Sequence, residues 1–149
     1  MAVMRDRPVL NSNFLVDFGH GKAHDQHEGF AEVVFPEFHL AAPAAREMEA
    51  THETTEPKPA CAANRLILKR GVCGGLDLYA WWHKERSVKA PRRRSLKIHL
   101  LAEDHETIVL TWHFHKVRPV TLSYSPLRAQ EGVVVLETIE LAFESFEMS

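Results

Sequence analysis

The sequence has no long apolar segment, little cysteine and none of the common catalytic or nucleotide-binding motifs. No apolar run approaches the roughly 18 residues of a membrane-spanning helix, and residues 1–12 lack the apolar core of a secretory signal. The two cysteines, Cys61 and Cys73, are too few for a disulfide framework, which indicates synthesis in a reducing compartment. The patterns GxGxxG, GxSxG, CxxC and the P-loop are absent, so no motif indicates nucleotide binding, serine hydrolysis or dithiol chemistry.

The composition indicates one globular domain over residues 1–149. Apolar residues make up 45% of the chain and charged residues 26%, which is typical of a globular protein and not of a disordered or membrane protein. The formal net charge of −2 argues against a general nucleic-acid binder.

The segment Arg65–Trp82 predicts a strand, a glycine-rich turn and an amphipathic helix. Leu66–Leu68 is a short apolar run bounded by charged residues, which is typical of a buried strand. The glycines of GVCGG follow, and glycine enters positive φ without steric cost. After this turn the spacing is helical, because Leu78, Trp81 and Trp82 lie at i, i+3 and i+4.

The first half of the chain predicts a strand pair followed by a long arm. Asn13–Gly19 alternates apolar and other residues, and Gly29–Phe35 is its expected partner strand, ended by Pro36. Residues 41–63 contain three prolines and no sustained apolar period, so we expect a long loop or arm there. A loop of this length inside a compact domain usually serves function or assembly.

The second half predicts a hairpin and a last strand. Ser95–Ala102 and Thr107–His115 both alternate cleanly around a short turn. Gly132–Phe146 predicts a strand whose apolar face changes phase near Glu137 and again before Phe146, as β-bulges or a strand bending between two sheets would produce. The total is six or seven strands and one helix. The expected fold is mainly β (α+β), a small β-sandwich or partly closed barrel with a flanking helix.

Two groups among the ten histidines are candidates for a metal site. They are His20, His24 and His27 in one loop, and His99, His113 and His115 on the polar faces of the hairpin. Nearby glycines argue against a helix for the first group, and the turn offsets His99 from His113. A polar loop and a solvated or lumen-facing strand explain both groups, so we expect no metal, no cofactor and no catalytic residue.

Cys73 and a basic segment are the remaining candidates. Cys73 precedes the helix without a partner histidine or acid, so we expect a half-buried structural cysteine. The basic segment comprises Lys84, Arg86, Lys89, Arg92, Arg93 and Arg94. It fits nucleic acid or acidic lipid, a solvated helix end, or an acidic partner. One such partner is the arm of a neighbouring copy, which carries Glu47, Glu49, Glu53 and Glu56.

Several segments together resemble the phage tail tube protein family of contractile tails and the related bacterial extracellular contractile injection systems. LILKRG matches the family's strand ending in Lys-Arg-Gly, and LDLYAWW resembles its Leu-x-x-Trp-Trp helix. RRRSLKIHLLAEDHETIVLTWHF is similar to its basic entry and ungapped hairpin, and ETIELAFESFEM follows in family order. FLVDFG and GFAEVVFPEF suit its first hairpin. His115–Arg118 and the arm at 41–63 depart from the family pattern, and the latter region contributes to ring stacking in the family.

The resemblance implies a structural subunit of the inner tube, forming stacked hexameric rings that make a hollow conduit. It implies sheath and baseplate proteins as partners, effectors or DNA passing through the lumen, and no membrane anchor. Synthesis in the bacterial cytoplasm without a signal peptide would precede incorporation into a phage tail or an extracellular injection particle. Open sheet edges permit such assembly, since head-to-tail pairing of edges closes into a ring when the rotation suits.

The sequence is also compatible with two other functions. The chain could be a tube-initiating, baseplate-proximal ring or an Hcp-like adaptor that carries effectors. Stacking of the purified protein into filaments distinguishes the tube proteins from the adaptor. A histidine-based metalloenzyme on a small β-barrel is the more distant alternative, and it requires stoichiometric zinc or iron held by His113 and His115.

Overall fold

The computed structural model describes residues 2–19, 29–39, 64–87, 89 and 93–149. Its elements are β1 (Phe14–Asp17), β2 (Glu32–Val34), β3 (Arg65–Gly71), α1 (Asp77–Ser87), β4 (Arg94–Leu101), β5 (Ile108–Tyr124), β6 (Leu136–Ala142) and β7 (Ser145–Met148). Seven strands and one helix in this part of the chain confirm the expected mainly β fold. The expected arm at 41–63 and the histidine loop at 20–28 lie outside the described residues.

The described strands form one antiparallel sheet that does not close on itself. The order is β1-β4-β5-β6-β3-β2, and β7 lies beside β5 as an additional neighbour. The first half of β5 pairs with β4 on one side and β7 on the other, whereas its second half pairs with β6. The long β5 therefore joins two half-sheets, β1-β4-β5-β7 and β5-β6-β3-β2.

The sequence did not predict that β5 continues from the first half-sheet into the second. The sequence placed the end of this strand at His115, but it continues to Tyr124. Phe114 and Val117 are both buried, so the inward-facing phase slips between them, at Lys116 with a φ of +52°. A register shift against β6 follows between Pro119 and Thr121. These irregularities break the alternation that a sequence pattern relies on.

The predicted pairing of the first two strands is wrong. Both strands exist, but β1 pairs with β4 and β2 pairs with β3, so they stand at opposite ends of the sheet. Val33 of β2 lies opposite Leu68 and packs against the core. The register of a hairpin is set by its turn type and loop length, and the sequence between these two strands contains no Asn-Gly or Asp-Gly turn signal.

The core lies between the inward faces of the two half-sheets. Its completely buried side chains are Leu66, Leu68, Leu96, Phe114, Ile139 and Leu141. The helix α1 covers one side, with Leu78 and Trp81 buried and Trp81 edge-on to Phe18 at 5.7 Å between ring centroids. Gly74 has a φ of +89°, which a side chain would disfavour, and it permits the turn into α1. The predicted strand-turn-helix unit is confirmed.

The turn of the β4–β5 hairpin is held by Asp104. Its carboxylate accepts hydrogen bonds from the hydroxyl and backbone N–H of Thr107 and from the backbone N–H of Glu106. The hydrogen bond from the Thr107 hydroxyl is the main reason that the pKa of Asp104 falls to about 2. An aspartate that accepts hydrogen bonds from the backbone a few residues further on is typical of a turn, and this preference can be read from the sequence. The predicted hairpin is confirmed.

The predicted last strand is two strands. Phe143 and Phe146 both pack in the core around the break between β6 and β7, which confirms the second predicted phase change. The first predicted phase change, near Glu137, is wrong, because the alternation of inward-facing residues continues through this position. Glu137 faces inward with Ile139 and Leu141 and is itself buried, so a charged residue occupies a core position. No helix among the described residues is long and apolar enough to cross a bilayer.

Candidate assembly surfaces

Within the part of the chain that the structure describes, strand β1 has an open edge. Among the described strands it pairs only with β4. The backbone N–H of Leu101 donates to the carbonyl of Asn13, and bonded and non-bonded pairs alternate along an antiparallel ladder. The backbone groups of Leu15 and Asp17 therefore point toward β4, whereas those of Phe14 and Val16 point outward. This edge can accept a further strand.

The strand β2 forms the opposite end of the sheet and pairs only with β3 among the described strands. The short β7 likewise has one strand partner in this part of the chain, β5. On the outer face of the β2 half-sheet, Lys69 lies 3.3 Å from Glu32 and Arg65 lies 3.8 Å from Glu140. Exposed pairs of this kind contribute at most about 1 kcal/mol each, and they keep the face hydrated.

Exposed apolar side chains mark one end of the molecule, where β3 and β5 finish and β6 begins. This loop-end surface consists of Val72, Leu76, Tyr124, Leu127, Val133 and Val134. Leu127 is 82% exposed, and Val133 and Val134 are each about 70% exposed. The backbone N–H of Val72 donates to the carbonyl of Val135, which holds the two loops together. Apolar residues grouped in this way are typical of a surface that another molecule covers.

A buried ionic network supports the loop-end surface from beneath. Arg70 of β3 donates to Glu137 of β6 at 3.1 Å and to Asp77, the first residue of α1, at 3.0 Å. The Tyr124 hydroxyl donates to the other oxygen of Glu137 at 3.1 Å. Burial opposes the charged form of Asp77, but the Arg70 guanidinium outweighs it and lowers the pKa of this carboxyl. The network ties β3, β5, β6 and α1 into one unit.

The outer face of the other half-sheet carries the predicted histidines. His99 lies opposite Thr111 in the ladder, and its Nδ1 is 2.8 Å from the Thr111 hydroxyl. His113 and His115 lie further along β5, so the predicted offset from His99 is confirmed. The structure adds Glu147 of β7, which lies opposite His113 and hydrogen-bonds the Nε2 of His115 at 2.8 Å. No sequence motif indicated this acidic partner.

Acidification is expected to destabilise the protein through this face. Burial lowers the pKa of His99 and of His113, and the neighbouring His115 lowers that of His113 further. The unfolded chain then binds more protons than the folded one, so stability is complete above the unfolded-state value of about 6.5 and is lost as the pH falls below it.

Urea unfolding at pH 7.5 and 5.5, with EDTA present, tests this expectation. The variant His113→Asn should show a smaller loss at the lower pH. Glu147→Gln should show a larger loss, because Glu147 raises the pKa of His113. Equal pH dependence in all three proteins would contradict the assignment.

The two other candidates differ from their predictions. Cys73 is exposed, so the expected half-buried position is wrong, because the turn before α1 stands clear of the core.

Of the basic segment, Arg94 lies over the Trp81 ring at 5.0 Å, Arg86 lies over Trp82 at 4.8 Å, and Arg93 is 3.9 Å from Glu144. Part of this segment therefore has partners within the chain. Its proposed acidic partner, the arm, lies outside the described residues.

Comparison with known proteins gives a family match and a common fold. The family model for the T4-like virus tail tube protein gp19 matches residues 10–147. A chain of the sheath-tube complex of the extracellular contractile injection system PVC, in the extended state, is 17% identical with a TM-score of 0.68, covering 97% of this chain and 93% of that chain. No curated protein matches the sequence.

Two further solved structures share the fold. A chain of the anti-feeding prophage baseplate is 18% identical with a TM-score of 0.62, covering 97% of each chain. Hcp1 from Flavobacterium johnsoniae is 11% identical with a TM-score of 0.56, covering 91% of this chain and 94% of that chain. At these identities the structures establish the fold alone, and they confirm the expected tail-tube and Hcp-like architecture.

Proposed function

This chain belongs to the T4-like virus tail tube protein gp19 family, and from that premise we propose that its copies pair side by side into hexameric rings that stack into a hollow tube. A member of this family is a tail tube subunit, so the chain is a structural component and not an enzyme, as the sequence predicted. The metalloenzyme alternative is thereby set aside.

The observation that carries the ring is the open sheet with β1 at one end and β2 at the other. Exposed edges invite pairing with another chain and are a liability when they stay uncovered. Pairing one edge of each copy with a different edge of the next is a heterologous contact, which closes into a ring when the rotation between copies suits. Six copies is the number expected from the family, and the similar baseplate structure is described as 6-fold symmetrised.

The loop-end surface supports stacking of one ring on another. Its exposed apolar side chains lie at an end of the strands, away from the lateral edges that would join copies within a ring. Burial of apolar area contributes about 25 cal/mol per Å², so a repeated end-to-end contact is favourable. The buried network of Arg70, Glu137 and Asp77 holds these loops in place beneath the contact.

The particle and its partners follow from the same proposal. The tube would lie within a sheath and begin at a baseplate, in a phage tail or an extracellular injection particle. Effectors or DNA would pass through its lumen. Among similar structures, one is a sheath-tube complex and another is a sheath/tube terminator, both in the extended state.

A single ring is the second candidate, as a tube-initiating ring at the baseplate or an Hcp-like adaptor. The same lateral edges support it, and the fold likeness to a baseplate chain and to Hcp1 is compatible with it. It differs from the shaft subunit in one respect, because it would not stack on copies of itself.

Electron microscopy of the purified chain, with mass measurement over a concentration series, tests both candidates. A shaft subunit should give six-fold rings that join into tubes of constant diameter as the concentration rises. Rings that never stack would favour the initiating ring or adaptor. A protein that stays monomeric at every concentration would contradict the proposal.

A further inference from the structure

The histidine face carries a group of side chains with the chemistry of a metal site. One nitrogen from each of His113 and His115 and one carboxylate oxygen of Glu147 all lie within 4.8 Å of one another. The Glu147 oxygen is 2.8 Å from Nε2 of His115 and 3.8 Å from Nδ1 of His113, and the two imidazole centroids are 4.1 Å apart. Within the residues that the structure describes, this is the one group with such an arrangement.

The strands hold these three groups on a rigid frame. His113 and His115 are two residues apart on β5, so both point to the same face. Glu147 lies directly opposite His113 on β7. On the reverse face, Phe146 lies opposite Phe114, and Phe114 is completely buried in the core. Side chains mounted on paired strands with a packed reverse face keep their geometry better than side chains on loops.

One ring atom in the group lacks a compensating contact. Nε2 of His113 is buried and has no hydrogen-bond partner in the described part of the chain. The 3.8 Å separation between its Nδ1 and Glu147 is too long for a hydrogen bond. Nδ1 of His113 therefore faces the carboxylate without a hydrogen bond to it. A cation between the rings and the carboxylate would bind Nδ1, the ring nitrogen that lies 3.8 Å from Glu147, and not the buried Nε2.

We propose that His113, His115 and Glu147 bind a divalent transition metal ion of the zinc class. Two imidazoles and one carboxylate are ligands that Zn²⁺ prefers, and three protein ligands leave a position for water or a neighbouring group. Small side-chain rotations bring the ligand atoms to the roughly 2 Å bonds that zinc requires. The ion would fasten β7, and with it the end of the described chain, to the central strand β5. This inference departs from the sequence-based expectation of no metal site, and it does not depend on ring formation.

Metal binding by the full-length chain, stripped with EDTA, tests the proposal. Titration calorimetry with Zn²⁺ measures stoichiometry and affinity, and the visible absorption of bound Co²⁺ reports nitrogen and oxygen ligands in a low-symmetry site. The double variant His113→Asn/His115→Asn should bind one ion fewer than the unsubstituted chain. Glu147→Gln should bind this ion at least about tenfold more weakly. Losing a residue that only hydrogen-bonds a metal ligand already costs about this much, and losing a direct ligand should cost more.

The control variant is His99→Asn, which changes a histidine on the same face outside the group. It should keep the stoichiometry and affinity of the unsubstituted chain, which separates the site from weak binding by other histidines. Glu147 is exposed, so the Gln variant should keep the fold, and its urea unfolding midpoint checks this. Unchanged binding in both the double variant and Glu147→Gln, or no binding in the unsubstituted chain, would overturn the assignment.

Discussion

Replacing Glu137 by alanine is expected to lower the free energy of unfolding by about 3–5 kcal/mol, the typical cost of removing one partner of a buried ion pair. The Glu137 and Arg70 side chains are only 4% and 6% exposed. Without Glu137, the buried Arg70 guanidinium keeps Asp77 as a carboxylate partner, but that group is half exposed. The Tyr124 hydroxyl also loses its acceptor. Such a loss is a large share of the 5–15 kcal/mol that stabilises an ordinary domain.

A matched control lies on the same strand. Glu140 pairs with Arg65 at 3.8 Å, and its side chain is 32% exposed. Glu140→Ala should therefore cost less than about 1 kcal/mol. Urea unfolding followed by far-UV circular dichroism measures both variants. A double variant, Arg70→Met/Glu137→Met, should recover part of the loss, because apolar residues of similar volume need no counter-charge. Equal, small losses for Glu137→Ala and Glu140→Ala would show that the buried pair contributes little.

The substitution Phe14→Pro is expected to weaken ring formation while leaving the folded monomer intact. The backbone N–H of Phe14 points to the open edge of β1, so the monomer does not use it in the β1–β4 ladder. Proline removes this donor. It is tolerated on an edge strand at a position whose backbone nitrogen points away from the neighbouring strand. If a neighbouring copy pairs with β1, the interface loses one hydrogen bond and leaves a carbonyl without a donor. That costs about 1–3 kcal/mol per interface, which corresponds to roughly 5- to 150-fold weaker pairing, so assembly should need correspondingly more protein.

The matched control for this variant is Phe14→Ala. It loses the same partly buried ring but keeps the backbone donor. The two variants should have similar unfolding midpoints as monomers and different assembly thresholds. Sedimentation velocity over a concentration series, followed by electron microscopy, measures the threshold. Assembly of the proline variant at the same concentration as the alanine variant would exclude the β1 edge from the contact between copies.

The proposed ring explains features that would be costly in a monomer. Three strands have one strand partner each in the described part of the chain, and several large apolar side chains at the loop end are exposed. A monomer would keep these groups in water without benefit, whereas lateral pairing and stacking would cover both. The outer face of the β2 half-sheet carries exposed ion pairs, so it needs no partner and can border an aqueous lumen.

The patterns that predicted the fold well are those whose cause is local. The spacing of Leu78 and Trp81 placed α1, because a helix repeats every 3.6 residues whatever lies around it. The alternation along Ser95–Ala102 and Thr107–His115 placed the hairpin, and its short turn fixed which strands pair. Family membership was also predicted from short segments in their order along the chain, because each segment corresponds to one local element.

The tertiary structure decided what depends on residues distant in sequence. β2 pairs with β3 instead of β1, and β5 continues past Lys116 into a second half-sheet, since core packing and not a turn selects these partners. Glu137 faces the core because Arg70 lies there to neutralise it, and no periodicity reports a charge partner 67 residues away. Glu147 meets the two histidines for the same reason. A strand's own residues specify which of its faces is apolar, but its neighbours, and so its edges and sites, are selected by the packing of the whole chain.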